Sequence, residues 1–296
     1  MAPGVFMPPK EICIYRSLCG SDCIRLSRVS HFCDTLYFSI DLTRWVCYDK
    51  STKSDKGRGI DMIAGLQKMT LLDYPGKVAC TVFLQGCNFR CPFCHNSPLL
   101  PGKGESGITE EELLAFLQKR KGLLDAVCVS GGEPTLYAGL EDLLRRIKEL
   151  GYLVKLDTNG SRPAVLKRLT EEKLVDYVAM DVKNSPARYG QTVGAEKLDI
   201  APLEESLRFL LAGTVSYELR TTVVEEFHDP EAMEEMGKWL CSLLPGARPG
   251  KLFLQPFRDR DSVLAPGLHS PTAEKLDLMR QTLSRYTEAV AVRGTD

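Results

Sequence analysis

The segment Gly86-Cys87-Asn88-Phe89-Arg90-Cys91-Pro92-Phe93-Cys94-His95-Asn96 sets three thiols in a C-x3-C-x2-C spacing. Thiolates are ligands for zinc and for iron–sulfur clusters, and the number of them is informative. A structural zinc site or an ordinary four-iron cluster is closed by four protein ligands. A cubane held by three cysteines leaves one iron open, and an open position on a metal site is where chemistry happens. The spacing departs from the bacterial ferredoxin run, which repeats two-residue gaps and ends in Cys-Pro. Buried, inert cysteine is a common fate of the residue type, but three thiols beside Gly, Pro and Asn make poor core. On the loop alone two readings stand: an open four-iron cluster, or half of a zinc site completed by His95 or a remote residue.

Such a loop needs a frame, and the sequence from Met62 onward has a regular one. Short apolar, β-branched runs occur at Ala79–Leu84, 126–129, 152–156, 177–180, 216–224 and 252–255. Amphipathic segments separate them. Thr109-Glu110-Glu111-Glu112 reads as a capping box ahead of Leu113, Leu114, Phe116 and Leu117. Leu143, Leu144, Ile147 and Leu150 make a helical stripe stopped by Gly151. Pro163, Pro230 and Pro271 are expected in first helical turns, with Ser161, Asp229 and Ser270 as caps beside them. Alternating strand and helix imply an α/β fold with a parallel sheet and right-handed crossovers. Six units suit a partial (β/α)6 barrel, and an open doubly wound sheet shares the same periodicity. Either arrangement gathers functional residues at the C-terminal ends of the strands.

The other polar motifs fall at those ends. The second run closes in Ser130-Gly131-Gly132-Glu133-Pro134, where glycine lets backbone approach a ligand closely. The third closes in Asp157-Thr158-Asn159-Gly160 and the fourth in Asp181-Val182-Lys183. Asp, Asn and Gly favour turns on their own account. Asp181 and Lys183 are two apart and so share a strand face. Arg220, Thr221 and Thr222 end the fifth run, His228 reads as a surface residue beside a helix cap, and Cys80, Cys128 and Cys241 read as small core residues.

Taken together these strings resemble the radical S-adenosylmethionine (SAM) superfamily. The Phe93-Cys94-His95-Asn96 ending is similar to its glycyl-radical-enzyme activase branch. The opening Ile63-Ala64-Gly65-Leu66-Gln67-Lys68 and Thr70-Leu71-Leu72-Asp73-Tyr74-Pro75-Gly76-Lys77-Val78 resembles activating proteins of anaerobic ribonucleotide reductase. The resemblance implies a partial (β/α)6 TIM-like barrel. It implies a [4Fe–4S] cluster on Cys87, Cys91 and Cys94, with Phe93 beside it and SAM on the open iron. Gly131, Gly132 and Glu133 would hold the SAM amino group, while Asp157, Thr158, Asn159, Asp181 and Lys183 would line its pocket. Arg220, Thr221 and Thr222 are weaker candidates for the SAM carboxylate or ribose.

One electron from the reduced cluster would then cleave SAM to methionine and a 5′-deoxyadenosyl radical, which takes hydrogen from a glycine Cα of the reductase. No catalytic residue beyond the cluster is required. A flavodoxin or ferredoxin is implied as electron donor. Three other readings compete: an activase of pyruvate formate-lyase or another glycyl radical enzyme, a radical SAM enzyme of small molecules, and a non-catalytic iron–sulfur electron-transfer protein. The last would need a fourth protein ligand and has no use for the Gly-Gly-Glu turn.

Composition narrows the partners. Thirty-eight Lys and Arg against 39 Asp and Glu give a net charge of −1, which argues against a nucleic-acid footprint or a polybasic membrane patch. No apolar run approaches the roughly 20 residues that span a bilayer, and no secretory pattern opens the chain. Eleven irregularly spaced cysteines make no disulfide framework, so a reducing cytoplasm is expected.

Residues 1–61 read differently, with Cys13, Cys19, Cys23, Cys33 and Cys47 but no C-x2-C pair and no sustained period. They are expected to be an N-terminal extension, non-native or disordered, with 62–296 as the barrel domain and translation starting at Met62. Lys56-Gly57-Arg58-Gly59 is what purine-rich codons of a bacterial ribosome-binding site would encode. The competing reading is an auxiliary cluster on Cys13, Cys19, Cys23 and Cys33. Intact-mass measurement on protein from the native host is expected to give a chain beginning at Met62; a mature N-terminus at residue 1 or 2 would overturn this.

Overall fold

The structure is a computed structural model and describes residues 63–100, 107–246 and 248–294; the extension expected over 1–61 lies outside the described residues. Eight strands form one sheet in chain order. They are β1 (Ile63–Thr70), β2 (Ala79–Leu84), β3 (Ala126–Gly131), β4 (Leu153–Thr158), β5 (Tyr177–Asp181), β6 (Ser216–Val223), β7 (Lys251–Pro256) and β8 (Ala289–Val292). β1 runs antiparallel to β2, and each later neighbour is parallel to the one before. The first and last strands do not pair, so the sheet stays open.

Strands β2 to β7 are the six expected units. Their helices are α1 (Glu110–Lys119), α2 (Leu140–Glu149), α3 (Pro163–Glu171), α4 (Pro186–Thr192), α5 (Ala201–Leu211), α6 (Pro230–Leu243) and α7 (Ala273–Ser284). β1 and β8 add one strand at each edge. Neither reads as a strand in the sequence, because β1 carries Gly65, Gln67 and Lys68, and β8 is a four-residue Ala-Val repeat.

Parallel strands covered on both faces read as near-continuous apolar runs. In β2 and β3, Cys80, Val82, Val127 and Val129 pack with helix residues Leu113, Leu117, Leu143, Leu144 and Ile147. Their neighbours Ala79, Ala126 and Cys128 face the other way and pack with Tyr74, whose ring lies 5.7 Å from that of Tyr177. That second face turns polar further round the sheet. Lys155 and Glu218 are each 1% exposed on it. Glu218 accepts both Arg293 guanidinium bonds at 2.9 and 2.8 Å, and the Arg293 cation lies 3.2 Å from the centre of the Phe253 ring. The segment after β8 is thereby tied to β6.

Helix ends follow the sequence in part. Thr109 and Glu112 form the reciprocal capping box, and Asp229 accepts from the Ala232 N–H at 2.7 Å. Two caps differ. α3 begins at Pro163 with Arg162 at the cap position and no side-chain cap, which leaves Ser161 one residue early, its hydroxyl accepting from the Asn88 amide at 2.9 Å. α7 begins at Ala273 with Thr272 as its cap, leaving Ser270 and Pro271 outside the helix. Among the described residues no helix is long and apolar enough to cross a membrane.

Candidate active site

Residues 85–96 leave β2 and are tethered to the ends of four other strand–helix units. The Arg90 N–H donates to Val193 O at 2.9 Å, at the end of α4. Gly194 permits that approach, since a Cβ there would stand 2.4 Å from Arg90 O. The Arg90 guanidinium folds back onto Cys87 O and Phe89 O at 2.7 and 2.8 Å, bracing the turn between the first two thiols. On the far side, Ala265 N–H donates to Pro92 O at 2.9 Å. His95 Nε2 meets Arg258 O at 2.6 Å while its ring stacks on Phe257. Phe93 is buried, 5.8 Å from Phe227. Asn96 donates to Gly131 O at 2.8 Å.

Cys91 is buried, while Cys87 and Cys94 are half-buried. Burial pushes the Cys91 thiol up to about 11 and raises Cys87 as well, with the Lys183 cation opposing both. Binding a metal here must therefore displace protons. Among the described residues no three Cys, His, Asp or Glu side chains converge as a single-ion site. The donor set, three thiols on one braced loop, suits a four-iron cluster with one open iron.

The Gly-Gly-Glu turn presses directly against this loop. A Cβ on Gly132 would stand 2.0 Å from Gly86 O and 3.2 Å from Cys87 Cβ, and Gly131 adopts φ 123° with Leu84 O in the way of any side chain. Only glycine leaves room for the loop at both positions. The Glu133 N–H donates to Gly86 O at 2.7 Å. Its carboxylate turns inward and is 1% exposed. It accepts from Thr135 N and Oγ1, from Thr158 Oγ1 at 2.8 Å and from Asn159 N at 2.6 Å. Burial raises its pKa against those donors. Glu133 thus joins the ends of β3 and β4. Asn159 extends the join, donating to Asn88 Oδ1 in the cysteine loop at 2.9 Å.

The remaining predicted residues form a ladder of alternating charge across β4, β5 and β6. Asp157 meets Lys155 Nζ at 2.5 Å and Arg220 Nη1 at 3.2 Å. Asp181 meets Arg220 Nε at 2.9 Å and Lys183 Nζ at 3.0 Å. Burial opposes ionisation of Asp181, but the Arg220 and Lys183 cations outweigh it and hold the carboxyl down at about 2. Asp157 is lowered in the same contest, by Arg220 and Lys155. Lys183 is raised, since Asp181 and Cys91 outweigh its burial.

Of the weaker candidates, Arg220 joins the two aspartates and Thr221 donates to Val182 O at 2.8 Å. His228 corrects the sequence reading, for it is 3% exposed rather than on the surface. Its Nδ1 accepts from Val224 N at 3.1 Å and its Nε2 donates to Lys183 O at 2.8 Å, a bridge between the ends of β5 and β6. Lys155, Arg90 and Asn88 were missed. For Lys155 a signal existed: it stands two before Asp157 in an apolar run and must share its face.

The model of the radical SAM superfamily matches residues 81–228, a span holding the cysteine loop, both aspartates and Arg220. A Methanocaldococcus jannaschii protein, named as a candidate glycyl-radical enzyme activating enzyme, is 31% identical over 244 residues, covering 78% of this chain and 95% of that one. The chain belongs to the radical SAM superfamily. As a radical SAM enzyme it uses a [4Fe–4S] cluster and SAM, which displaces the zinc and electron-transfer readings. The pyruvate formate-lyase-activating enzyme of Clostridium pasteurianum is 35% identical over 127 residues, 41% of this chain and 52% of that enzyme. Streptococcus suis SuiB bound to SAM shares the fold at a TM-score of 0.55 and 13% identity, over 70% of this chain and 48% of that one.

A pH dependence follows for the cluster-free radical SAM domain. A carboxyl whose folded pKa is depressed contributes stability above its unfolded value, and that contribution is lost as pH falls through the folded one. For Asp181 the window runs from an unfolded value of about 3.9 down to about 2. Urea denaturation across that window should show a steep acid limb that Asp181→Asn makes shallower. An unchanged limb would mean that the Arg220 and Lys183 pairs add no stability.

Proposed function

We propose that this radical SAM enzyme is a cytoplasmic glycyl-radical-enzyme activase whose protein substrate is an anaerobic ribonucleotide reductase, reduced by a flavodoxin or ferredoxin. The observation that carries the activase reading is the 31% identity along nearly the whole length of the Methanocaldococcus relative. The choice of reductase leans on the opening string 70–78. Within it Asp73 accepts from Thr81 Oγ1 at 2.5 Å, and Tyr74 lies on the same face of the sheet as the charge ladder. We take 62–296 as the catalytic unit and 1–61 as an extension of it.

In this reading Cys87, Cys91 and Cys94 hold the cluster and Phe93 shields it. When bound, the reduced cluster supplies the electron that splits SAM to methionine and a 5′-deoxyadenosyl radical able to take hydrogen from a glycine Cα. The chain's own residues bind and orient. Gly131 and Gly132 bring backbone up to the cluster loop, and Glu133 fixes Thr158 and Asn159 beside it. Asp157, Asp181 and Lys183 set the charge of the SAM pocket, with Lys183 the ladder cation that acts on the Cys87 and Cys91 thiols. The sheet stays open between β1 and β8, which suits a substrate as large as a peptide loop.

The full chain, reconstituted anaerobically with iron and sulfide, is to be reduced and mixed with SAM and the host's anaerobic ribonucleotide reductase. A SAM-dependent glycyl-radical doublet in EPR is the expected result. Formation of 5′-deoxyadenosine without a doublet would move the partner to pyruvate formate-lyase, the reading favoured by the Clostridium relative, or to another glycyl radical enzyme. Cys87→Ala should hold no four-iron cluster, since two thiolates cannot retain the cubane; full four-iron stoichiometry in that variant would refute the ligand assignment.

A further inference from the structure

One buried cation has no task in the reading above. Lys155 sits in the middle of β4 with its side chain 2% exposed, and an ammonium group so placed is costly unless it is paired. An apolar side chain would fill the same space, so the charge calls for a reason beyond packing.

The reason is visible in how the ladder is filled. Asp157 and Asp181 have four carboxylate oxygens, and each oxygen meets a different N–H group: Lys155 Nζ on Asp157 Oδ1, Arg220 Nη1 on Asp157 Oδ2, Arg220 Nε on Asp181 Oδ1 and Lys183 Nζ on Asp181 Oδ2. Arg220 is shared between two strands, with Nη1 on Asp157 and Nε on Asp181, so a turn of the guanidinium toward one carboxylate also moves the donor held by the other. Removing the ammonium of Lys155 leaves Asp157 Oδ1 without its cation. The carboxylate is then free to rotate toward Arg220 and compete with Asp181 for it. A disturbance at Lys155 thereby reaches Lys183, the ladder cation whose charge acts on Cys87 and Cys91. A carboxylate accepts at about four positions, so an Asp157 held at both oxygens can still accept from a ligand, and in one orientation.

We propose that Lys155 is a positioning residue of the SAM site. It holds Asp157 in a single orientation and, through the shared Arg220, keeps Asp181 and Lys183 in place across β4, β5 and β6. The inference rests on the reading of Asp157 as part of the SAM pocket, and its test separates the two.

The test is a double-mutant cycle on SAM affinity, read by equilibrium binding to the reconstituted, unreduced enzyme with no glycyl radical enzyme present. Lys155→Met and Asp157→Asn should each weaken SAM by about tenfold, the scale of coupling between residues in contact. The double variant should be no weaker than Asp157→Asn alone. Additive losses, or wild-type affinity in Lys155→Met, would overturn the proposal while leaving the pocket in place. Wild-type affinity in Asp157→Asn would instead remove Asp157 from the pocket and the proposal with it. Because no partner protein enters the assay, a wrong partner assignment does not touch it.

A second readout needs no cluster. Lys155→Ala lacks the atoms of a propylammonium ion, and its melting temperature in the cluster-free state should recover with propylammonium chloride but not with equal sodium chloride. Recovery with neither salt, or equally with both, would refute a role for the charge.

Discussion

At the C-terminal end of this sheet the other interactions depend on one guanidinium reaching carboxylates on two different strands. Arg220 leaves β6 and touches Asp181 on β5 at 2.9 Å and Asp157 on β4 at 3.2 Å. Backbone bonds already set the register here, with Asp157 opposite Ala179 and Asp181 opposite Arg220. What they leave open is the direction of the side chains that project from that face. A planar fork with fixed donor directions settles this in a way a flexible ammonium cannot. Attraction between such closely spaced charges is strong where water is scarce, so the ladder holds its aspartates ionised despite their burial. His228 reinforces the same edge by a neutral route. Burial lowers its pKa, and the uncharged ring joins Val224 to Lys183 O.

A second constraint works by absence of atoms. The cysteine loop and the Gly-Gly-Glu turn approach so closely that a Cβ at Gly132 would stand 2.0 Å from Gly86 O. That contact sets the height of the first thiol over the sheet. Glu133 then carries the placement sideways, because its carboxylate accepts from Thr158 and Asn159, and Asn159 returns to Asn88 in the loop. The result is a closed circuit from loop to β3, to β4 and back to the loop. The first thiol is therefore held from two sides, at Gly86 and at Asn88.

Much of this was legible in the sequence, and the limits have physical causes. The six parallel strands showed because burial on both faces forces a continuous apolar run. The two edge strands did not, because an edge strand needs no such run: β1 tolerates Gln67 and Lys68, and β8 is four residues long. The cluster loop and the strand-end motifs announced themselves by residue type. The residues that hold those motifs in place did not. Lys155 hides among apolar neighbours, Arg90 looks like any loop arginine, and the inward turn of Glu133 depends on β4 arriving beside it. Ser161, read as a helix cap, and His228, read as a surface residue beside one, were misplaced for a related reason, since each meets a partner distant in sequence, Asn88 and Lys183 O.

On the proposed reading, the division of labour explains why so many buried charges stand beside a site that needs no general acid or base. Where cofactors carry the hard chemistry, the protein contributes binding, orientation and electrostatics. SAM brings its own sulfonium, ammonium and carboxylate, and a pocket for such a ligand must offer fixed charges of both signs at short range. An apolar lining would exclude water but could not distinguish one end of the ligand from the other. A ladder of three cations and two carboxylates, paired at every carboxylate oxygen, is suited to offer both signs to the ligand proposed for it. Its cost is desolvation of five charged groups, and mutual pairing offsets that cost only while the pairing is complete. That requirement ties the interior of β4, where Lys155 lies, to a site at the strand ends.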